Sequence, residues 1–120
     1  MTTSEIATVL AWHDALTTAD LDTLLKLSSE DIEVGDVHGA GQGHRALREW
    51  AGSAKITAEL GRMYVHNGVV VVELLPESPE DTTAAAAFRV VHDHVTSIFR
   101  HDDLSSALTA TELTEADRVD

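Results

Sequence analysis

The stretch from residue 19 to residue 50 constrains the fold of this chain more than any other. A short helix signal meets the polar break Ser28-Ser29-Glu30-Asp31, a predicted strand follows from Ile32 to His38, and a glycine-rich loop leads into a helix that ends at Trp50. The predicted strand carries Asp36 and His38 among apolar residues. Ionisable side chains are costly to bury unless they are paired or used. The segment therefore predicts a helix–strand–helix unit with a candidate site on its strand.

The charge balance of the chain excludes some partners. The 120 residues include 21 acids against 8 lysines and arginines, a formal net charge of -13. Such a field repels phosphate backbones, so we expect no nucleic-acid partner. The same field disfavours an anionic substrate unless one arginine is placed locally to receive it. The chain has no cysteine, which excludes disulfides and thiol chemistry.

The chain shows no signal peptide or membrane-spanning segment that we can identify from its sequence. The N-terminus has neither the basic start nor the long apolar run of a signal peptide. The longest strongly hydrophobic run, Val69–Val72, is far too short to cross a bilayer. We therefore expect a cytoplasmic protein without a membrane partner.

The second half of the chain reads as strands. Asn67-Gly68 separates two valine-containing runs, and both turn residues tolerate positive φ, which predicts a hairpin. The tight connection His92-Asp93-His94 joins Ala84–Val91 to Val95–Arg100 as a second hairpin. Alanine prefers helix by propensity. We predict strand because Phe88 and the residues after it continue the alanine run directly into the hairpin.

The first half reads as three helices, which begin near residues 2, 20 and 43, and the whole chain reads as one domain. The third helix spans about Gly43 to Ala54. The domain is predicted to cover residues 1–110. The acidic tail 111–120 has no apolar period and is predicted to be disordered.

The order helix, helix, strand, helix and then a run of antiparallel strands resembles the nuclear transport factor 2-like superfamily, and within it the SnoaL-like and ketosteroid-isomerase-like branch. The likeness lies in Ala19-Asp20-Leu21-Asp22-x-Leu24-x-x-Leu27, in Gly43-His44-Arg45-Ala46-Leu47-Arg48-Glu49-Trp50, and in Val95-Thr96-Ser97-Ile98 followed by Asp103-Leu104. It covers roughly Ile6 to Leu108.

The resemblance implies an α+β fold in which a curved antiparallel or mixed sheet wraps around the N-terminal helices. This architecture is cone-shaped, with a central pocket that holds a hydrophobic ligand, and it frequently forms homodimers through the outer sheet face. The superfamily hosts isomerases, cyclases, epoxide hydrolases, carriers and catalytically silent scaffolds, so fold alone does not decide function.

Asp36 is the first candidate catalytic residue. Strand alternation puts Ile32, Val34, Asp36 and His38 on one face, and the apolar start of that set predicts that it faces the core. The resemblance puts Asp36 near the carboxylate base of ketosteroid-isomerase-like proteins. A carboxylate walled by apolar groups becomes a competent proton shuttle near neutral pH. The alternative is that Asp36 caps a turn at the end of the strand.

His38 and Arg100 are the other candidate catalytic residues. His38 is either an acid or hydrogen-bond donor to a substrate oxygen, or a solvated loop histidine. Related branches place an acid on the last strand, and Arg100 stands at that position here. Arg100 either pairs with Asp36, binds a carboxylate or enolate oxygen, or forms a surface salt bridge. Asp102 is expected one pleat further out, at the mouth of the cone, as a ligand contact.

The resemblance also points to the positions that build an oxyanion hole in ketosteroid isomerases. Trp12 and Ala86 occupy these positions, and only the indole of Trp12 has a donor. A true steroid isomerase is therefore not expected. The predicted ligand-contacting walls of the pocket are Trp12, Trp50, Tyr64 and Phe88.

A metal site is not predicted. His92-x-His94 places two imidazoles on one strand face, with His101 expected on the facing strand, but a catalytic site needs three converging ligands and the pair sits at a hairpin tip. No nucleophile motif or phosphate-binding loop is present either.

These observations lead to one functional hypothesis and one alternative. The hypothesis is a cofactor-independent acid–base enzyme of the isomerase or cyclase type that acts on a small apolar carbonyl or polyketide-like substrate. The alternative is a non-catalytic module of the same fold that binds a small molecule or forms a dimeric interaction unit.

Overall fold

A six-stranded mixed sheet organises the structure, a computed structural model that describes residues 2–18, 20–36, 39–53, 59–75 and 84–119, with the backbone alone at positions 2–4, 36, 52, 53 and 59. The helices are α1 (Thr2–Thr17), α2 (Leu21–Lys26), α3 (Gly43–Ser53) and α4 (Leu104–Thr111). The strands are β1 (Ser28–Asp36), β2 (Gly39–Gln42), β3 (Glu59–His66), β4 (Val69–Leu75), β5 (Ala84–Val91) and β6 (His94–His101).

The sheet is open, with the strand order β2-β1-β6-β5-β4-β3. Strands β1 and β6 pair in parallel, and the other neighbours are antiparallel. The predicted α+β class with a mixed sheet is confirmed. Since β1 and β6 run side by side in the same direction, residues near their ends come to the same edge of the sheet.

Both predicted hairpins are present, and their turns explain them. Asn67 and Gly68 have φ values of 48° and 78°, and His92 and Asp93 have φ values of 50° and 62°. Two consecutive positive φ values match the right-handed twist of the flanking strands. The alanine run of β5 is a strand, as predicted, because it pairs along its length with both β4 and β6.

The N-terminal half departs from the prediction at two strands. The polar break Ser28-Ser29-Glu30-Asp31 begins β1 instead of interrupting the chain, and a register shift against β6 accommodates it. The expected loop after β1 contains the short strand β2, in which Gly39 pairs with Asp36 and Gly41 with Val34. Backbone pairing needs no side chain, so the glycines do not prevent it.

The two faces of the sheet have different partners. The inner face packs on α1, α2 and α3 and forms the main core. The outer face packs on α4, where Tyr64, Val71, Ala85 and Ala87 form a second, smaller core with Ala107 and Leu113. Burying an apolar side chain of this size contributes about 1.5–3 kcal/mol. The main core therefore supplies most of the driving force for folding.

A buried polar junction joins α1, α2 and β1. The indole N–H of Trp12 donates to Ser28 Oγ at 2.8 Å, and the Ser28 hydroxyl donates to the Leu24 carbonyl at 2.7 Å. Trp12 is fully buried and Ser28 is 4% exposed. A buried N–H without a partner costs about 1–3 kcal/mol, so this junction holds the start of β1 against the first helix.

The C-terminal segment is ordered where we predicted disorder. Helix α4 begins after Asp103, whose carboxylate accepts the Ser106 N–H at 2.7 Å, and this contact lowers the pKa of Asp103. One 3-10 turn, Glu115–Asp117, follows, and the Val119 N–H donates to the Met63 carbonyl at 3.0 Å. Backbone pairing with the edge strand β3 orders a segment that has no apolar period of its own.

Membrane-spanning helices and clusters of metal-ligating side chains are both absent among the described residues. No helix among them is long and apolar enough to cross a membrane. They also contain no group of three or more potential metal-ligating side chains.

Replacing Ser28 by alanine tests the buried junction. Ser28→Ala leaves the indole N–H of Trp12 without its acceptor, so we expect the free energy of unfolding to fall by about 1–3 kcal/mol. Chemical denaturation followed by tryptophan fluorescence measures this difference.

The matched control is Ser105→Ala, the same chemical change at an exposed position of α4. We expect it to alter the free energy of unfolding by no more than about 0.5 kcal/mol. Equal stabilities of the two variants would contradict the role assigned to the junction.

Candidate functional site

Three of the predicted wall residues lie together on the inner side of the sheet. The ring centroids of Trp12 and Phe88 are 5.4 Å apart in an edge-to-face arrangement, and those of Trp12 and Trp50 are 6.1 Å apart. Trp12 and Phe88 are buried, whereas Trp50 is partly exposed. The aromatic cluster therefore runs from the core towards the surface along α3.

The Trp12 indole does not offer a free donor. Its N–H donates to the side-chain oxygen of Ser28. The Nε2 atom of His44, on α3, lies 3.3 Å from the backbone carbonyl oxygen of Ser28. Ser28 was not among the functional residues predicted from the sequence. The sequence feature that could have pointed to Ser28 is its position directly after a short amphipathic helix, where a hydroxyl can donate a hydrogen bond back to a helix carbonyl.

Strand β1 turns its apolar residues inward as predicted. Ile32 and Val34 are buried in the main core, while Glu33 between them is exposed on the outer face. The backbone of Asp36 pairs with Gly39 of β2, and its side chain is not among the described atoms. His38 lies outside the described residues. The roles assigned to Asp36 and His38 remain predictions.

The strand register relates Arg100 to Asp36. Val34 pairs with Ile98 and Gly35 with Phe99, so one further step along the parallel strands brings Asp36 level with Arg100. Neighbouring strands lie about 4.8 Å apart. On its other side, Arg100 pairs with Ala86 of β5. Arg100 shares the inner face with the buried Ile98, and its side chain is exposed at the edge of the core.

The inner face carries little charge within the part of the chain that the structure describes. Among the described residues, Glu73 is the one buried Asp, Glu, His, Lys or Arg, and it lies on the outer face with Arg62. The buried residues of the main core come from three helices and five strands and are Val9, Trp12, Ala15, Leu24, Ile32, Val34, Leu47, Val65, Val70, Val72, Leu74, Ala86, Phe88, Val90, Val95 and Ile98.

A small open groove of about 270 Å³ lies beside the end of β1. It is lined by Val34 of β1, by Gly39, Ala40 and Gly41 of β2, and by Ala46, Glu49 and Trp50 of α3. A Cβ atom on Gly41 would lie 2.9 Å from the Ala46 side chain, so glycine is required for α3 to approach β2. The groove joins the aromatic cluster to the strand end that bears Asp36.

Tyr64 and Asp102 do not join the aromatic cluster. Tyr64 is fully buried on the outer face, and its hydroxyl donates to Glu115 at 3.1 Å. Burial raises the pKa of Tyr64, and the hydrogen bond to Glu115 raises it further. Asp102 follows the end of β6 and is exposed.

The outer face holds an ion pair that the sequence analysis missed. Glu73, 8% exposed in the apolar strand β4, accepts from Arg62 Nε at 3.3 Å and from its terminal nitrogen at 3.2 Å. Gly61 and Arg62 form a bulge opposite Glu73, and the Arg62 backbone N–H also donates to it. The sequence feature that could have predicted this pair is Glu73 itself, a single acid in a run of valines and leucines.

A wide groove also lies on the outer face. It measures about 770 Å³ and lies between α4 and strands β1, β5 and β6. Phe99, His101 and Arg89 line it together with the acids Asp31, Glu33 and Glu112. Thr96 lines it too, because a register shift at Arg89 and Val90 turns Thr96 away from the inner face.

The histidines that were weighed as metal ligands are separated. His92 and His94 lie at the β5–β6 turn, where His94 Nδ1 is 2.8 Å from the His92 carbonyl. His101 ends the same strand that His94 begins, so seven residues, about 23 Å, separate them. The expectation that His101 lies on the facing strand is wrong.

Comparison with known proteins identifies the fold. No protein-family model and no curated protein matches the chain. Among solved structures, a nuclear transport factor 2-like protein of unknown function from Cytophaga hutchinsonii superposes with a TM-score of 0.69 at 16% identity, over 85% of this chain and 92% of that one. The chain has the nuclear transport factor 2-like fold.

Two further neighbours carry the names of enzymes. A protein from Sinorhizobium meliloti named as a polyketide cyclase has a TM-score of 0.67 at 23% identity, over 78% of this chain and 93% of that one. An LEH-like epoxide hydrolase from M. tuberculosis has a TM-score of 0.68 at 18% identity, over 89% and 88%. At these identities the likeness concerns the fold.

Tyr64→Phe tests the placement of this residue outside the inner side. The change removes the hydroxyl that holds Glu115, so we expect faster amide hydrogen exchange over residues 113–119 at neutral pH and no change around Trp12. The pKa of Tyr64 is raised in the folded protein. The stabilisation is therefore complete below the ordinary value of 10.0 and is lost as the pH rises beyond it.

Phe99→Leu serves as the control, because it alters an outer-face ring that is remote from the 3-10 turn. Faster exchange around Trp12 in Tyr64→Phe, with residues 113–119 unchanged, would contradict the assignment of Tyr64 to the outer face.

Proposed function

We propose that this nuclear transport factor 2-like protein is a cofactor-independent acid–base enzyme, which moves a proton on a small, largely apolar carbonyl or polyketide-like substrate. The observation that carries the proposal is the position of two ionisable residues. Asp36 and Arg100 occupy the same level of adjacent strands, where an otherwise apolar inner face reaches the surface. A carboxylate beside an apolar surface is suited to proton transfer.

The proposed roles follow from chemistry. The carboxylate of Asp36 takes a proton from the carbon next to the substrate carbonyl. The electron pair of the broken C–H bond moves towards the carbonyl oxygen and forms an enolate, and Asp36 then returns the proton to another atom. The step balances without an oxidant or a reductant. His38 or Arg100 stabilises the developing negative oxygen.

The aromatic cluster supports an apolar substrate. Trp50 is partly exposed beside the small groove, and it connects through Trp12 to the buried Phe88. We assign Trp50 as the apolar wall that a ligand in the small groove contacts, with the buried Trp12 and Phe88 packed behind it. The neighbours named as a polyketide cyclase and an epoxide hydrolase show that this fold accompanies enzymes of several types.

A specific observation favours the alternative of a non-catalytic binding module. The indole N–H of Trp12 is already bonded to Ser28, and Ala86 has no side-chain donor. The two positions that the resemblance links to an oxyanion hole therefore offer no free side-chain donor. In this alternative, a ligand occupies the same groove without chemical change.

Oligomeric state is a separate part of the proposal. We expect a homodimer through the outer face, because α4 leaves the groove over β1, β5 and β6 uncovered. Sedimentation of the protein measures this directly, and a monomer would remove this part of the proposal without affecting the chemistry.

Asp36→Asn tests the chemistry. We expect the wild-type protein to exchange α-protons of small apolar ketones with deuterium oxide, as followed by proton NMR. The asparagine variant has no base, so we expect a loss of about 10²- to 10⁴-fold in the rate. Its melting temperature should be unchanged or raised.

Glu33→Gln is the matched control, since it neutralises an acid three residues away on the outward side of the same strand. It should leave the exchange rate unchanged. Equal rates for Asp36→Asn and wild type would exclude the mechanism, whereas ligand binding without exchange in the wild type would favour the binding module.

A further inference from the structure

The wide groove on the outer face, between α4 and strands β1, β5 and β6, has two opposite charges in one row of the sheet. Glu33 of β1 pairs with Ser97 of β6, and Ser97 pairs on its other side with Arg89 of β5. All three residues line the wide groove. A carboxylate and a guanidinium therefore flank a serine hydroxyl, with two strand spacings, about 10 Å, between the strands that carry them.

The two charged residues of this row do not neutralise one another. Neither Glu33 nor Arg89 takes part in the three ion pairs found within the described part of the chain. The hydroxyl of Thr96 donates to the backbone carbonyl of Arg89, which leaves the guanidinium out of that contact. Both charged residues are exposed along the groove. Each can therefore bind an ion of the opposite charge.

Beside the charged row, the wide groove has an apolar floor. The next row of the outer face across the same strands holds Gly35, Phe99 and Ala87. A Cβ atom on Gly35 would lie 2.9 Å from Cε1 of Phe99, so the ring lies against the glycine, towards β1. On the other side, Ala87 offers only a methyl group, and Ala110 and Thr111 of α4 also line the groove. The groove therefore has room for an apolar group beside the ring.

Size and charge together restrict what the wide groove can bind. Its volume is about 770 Å³, and sites for small molecules generally measure about 300–1,000 Å³. The net charge of -13 opposes the approach of an anion, and Asp31 and Glu112 add acids to the lining of the groove. A simple cation would leave the guanidinium of Arg89 unused. A molecule that carries both charges is not repelled and satisfies both side chains.

We propose that the wide groove binds a free α-amino acid with an aromatic side chain. Its ammonium group contacts Glu33, its carboxylate contacts Arg89, and its ring lies beside Phe99 over Ala87. The two charged groups of the ligand are attached to one carbon, so charge-assisted hydrogen bonds of about 2.8 Å at each end bridge the gap between the protein side chains. The guanidinium can hold the carboxylate by two parallel bonds. The hydroxyl of Ser97, between them, can bond to either group.

This site is separate from the proposed proton transfer, because it uses neither Asp36 nor Arg100. The proposed homodimer, in contrast, would use the same face of the sheet. A second copy seated over Phe99 would keep the amino acid out of the groove, so binding and oligomeric state are measured on the same sample.

The test compares three probes that share a phenyl ring. L-phenylalanine carries both charges, phenethylamine lacks the carboxylate, and 3-phenylpropanoate lacks the ammonium group. The affinity of each is measured by NMR titration of the isotope-labelled protein at neutral pH, which also shows which amides shift. We expect L-phenylalanine to bind about tenfold more tightly than either analogue, because each of them loses a hydrogen bond between charged groups. The amides of Ser97 and Phe99 should shift, and that of Trp50 should not.

Variants separate local contact from overall charge. Arg89→Gln should bring the affinity for L-phenylalanine down to that for phenethylamine, and Glu33→Gln should bring it down to that for 3-phenylpropanoate. Arg89→Lys keeps the charge but loses the two parallel bonds, so we expect an intermediate affinity. The matched controls are Arg48→Gln and Asp22→Asn, which remove the same charges from exposed positions on α3 and α2. They should leave all affinities within about twofold of wild type.

Several outcomes would overturn the inference: equal affinity of the wild type for the three probes, equal effects of Arg89→Gln and Arg48→Gln, or amide shifts around Trp50 in place of Ser97. A dimer that binds no L-phenylalanine would overturn it as well, since a second copy then occupies the groove. A monomer that binds L-phenylalanine with the expected preference would support the inference and remove the proposed homodimer. Proton exchange on ketones, present or absent, refutes or supports only the proposed function.

Discussion

The hydrogen bond from the Trp12 indole to Ser28 is the contact on which the inner side of the protein depends. It joins the first helix to the start of β1, and the Ser28 hydroxyl extends it to the end of α2. From that anchor, β1 runs past the aromatic cluster with Ile32 and Val34 turned inward. The position of its last residue, Asp36, follows from where the strand begins.

The fold could be predicted from sequence wherever local chemistry was sufficient. The turns at Asn67-Gly68 and His92-Asp93 are pairs that accept positive φ, and α2 begins after the Asp20 cap, close to the predicted start near residue 20. Strand β2, the first residues of β1 and the C-terminal turn were missed. Their backbone groups pair with strands that are distant in sequence, and no local pattern records such pairing.

The candidate site was predictable to a similar extent. Alternation correctly turned Val34 inward, and it brought Arg100 to the inner face of β6. Alternation alone could not assign Tyr64 to a face, because the bulge formed by Gly61 and Arg62 opposite Glu73 places Tyr64 on the outer side. A bulge depends on the partner strand, so a single strand read alone does not reveal it.

The distribution of charge links fold and function. Within the described residues, the inner core is free of ionisable groups, while the outer face carries the Arg62–Glu73 pair and several acids. A site that moves protons needs few charges in a place sheltered from water. The proposed site lies where this apolar face ends, at the level that Asp36 and Arg100 share by strand register.

The direction of the Asp36 side chain can be measured directly because the chain has no cysteine. Single-cysteine variants Asp36→Cys and Glu33→Cys would be reacted with a small apolar maleimide and with a bulky polyethylene-glycol maleimide. Our account predicts that Glu33→Cys reacts readily with both reagents, whereas Asp36→Cys reacts with the small reagent and is protected from the bulky one. Equal reactivity of both cysteines towards the bulky reagent would place Asp36 in open solvent and contradict the account.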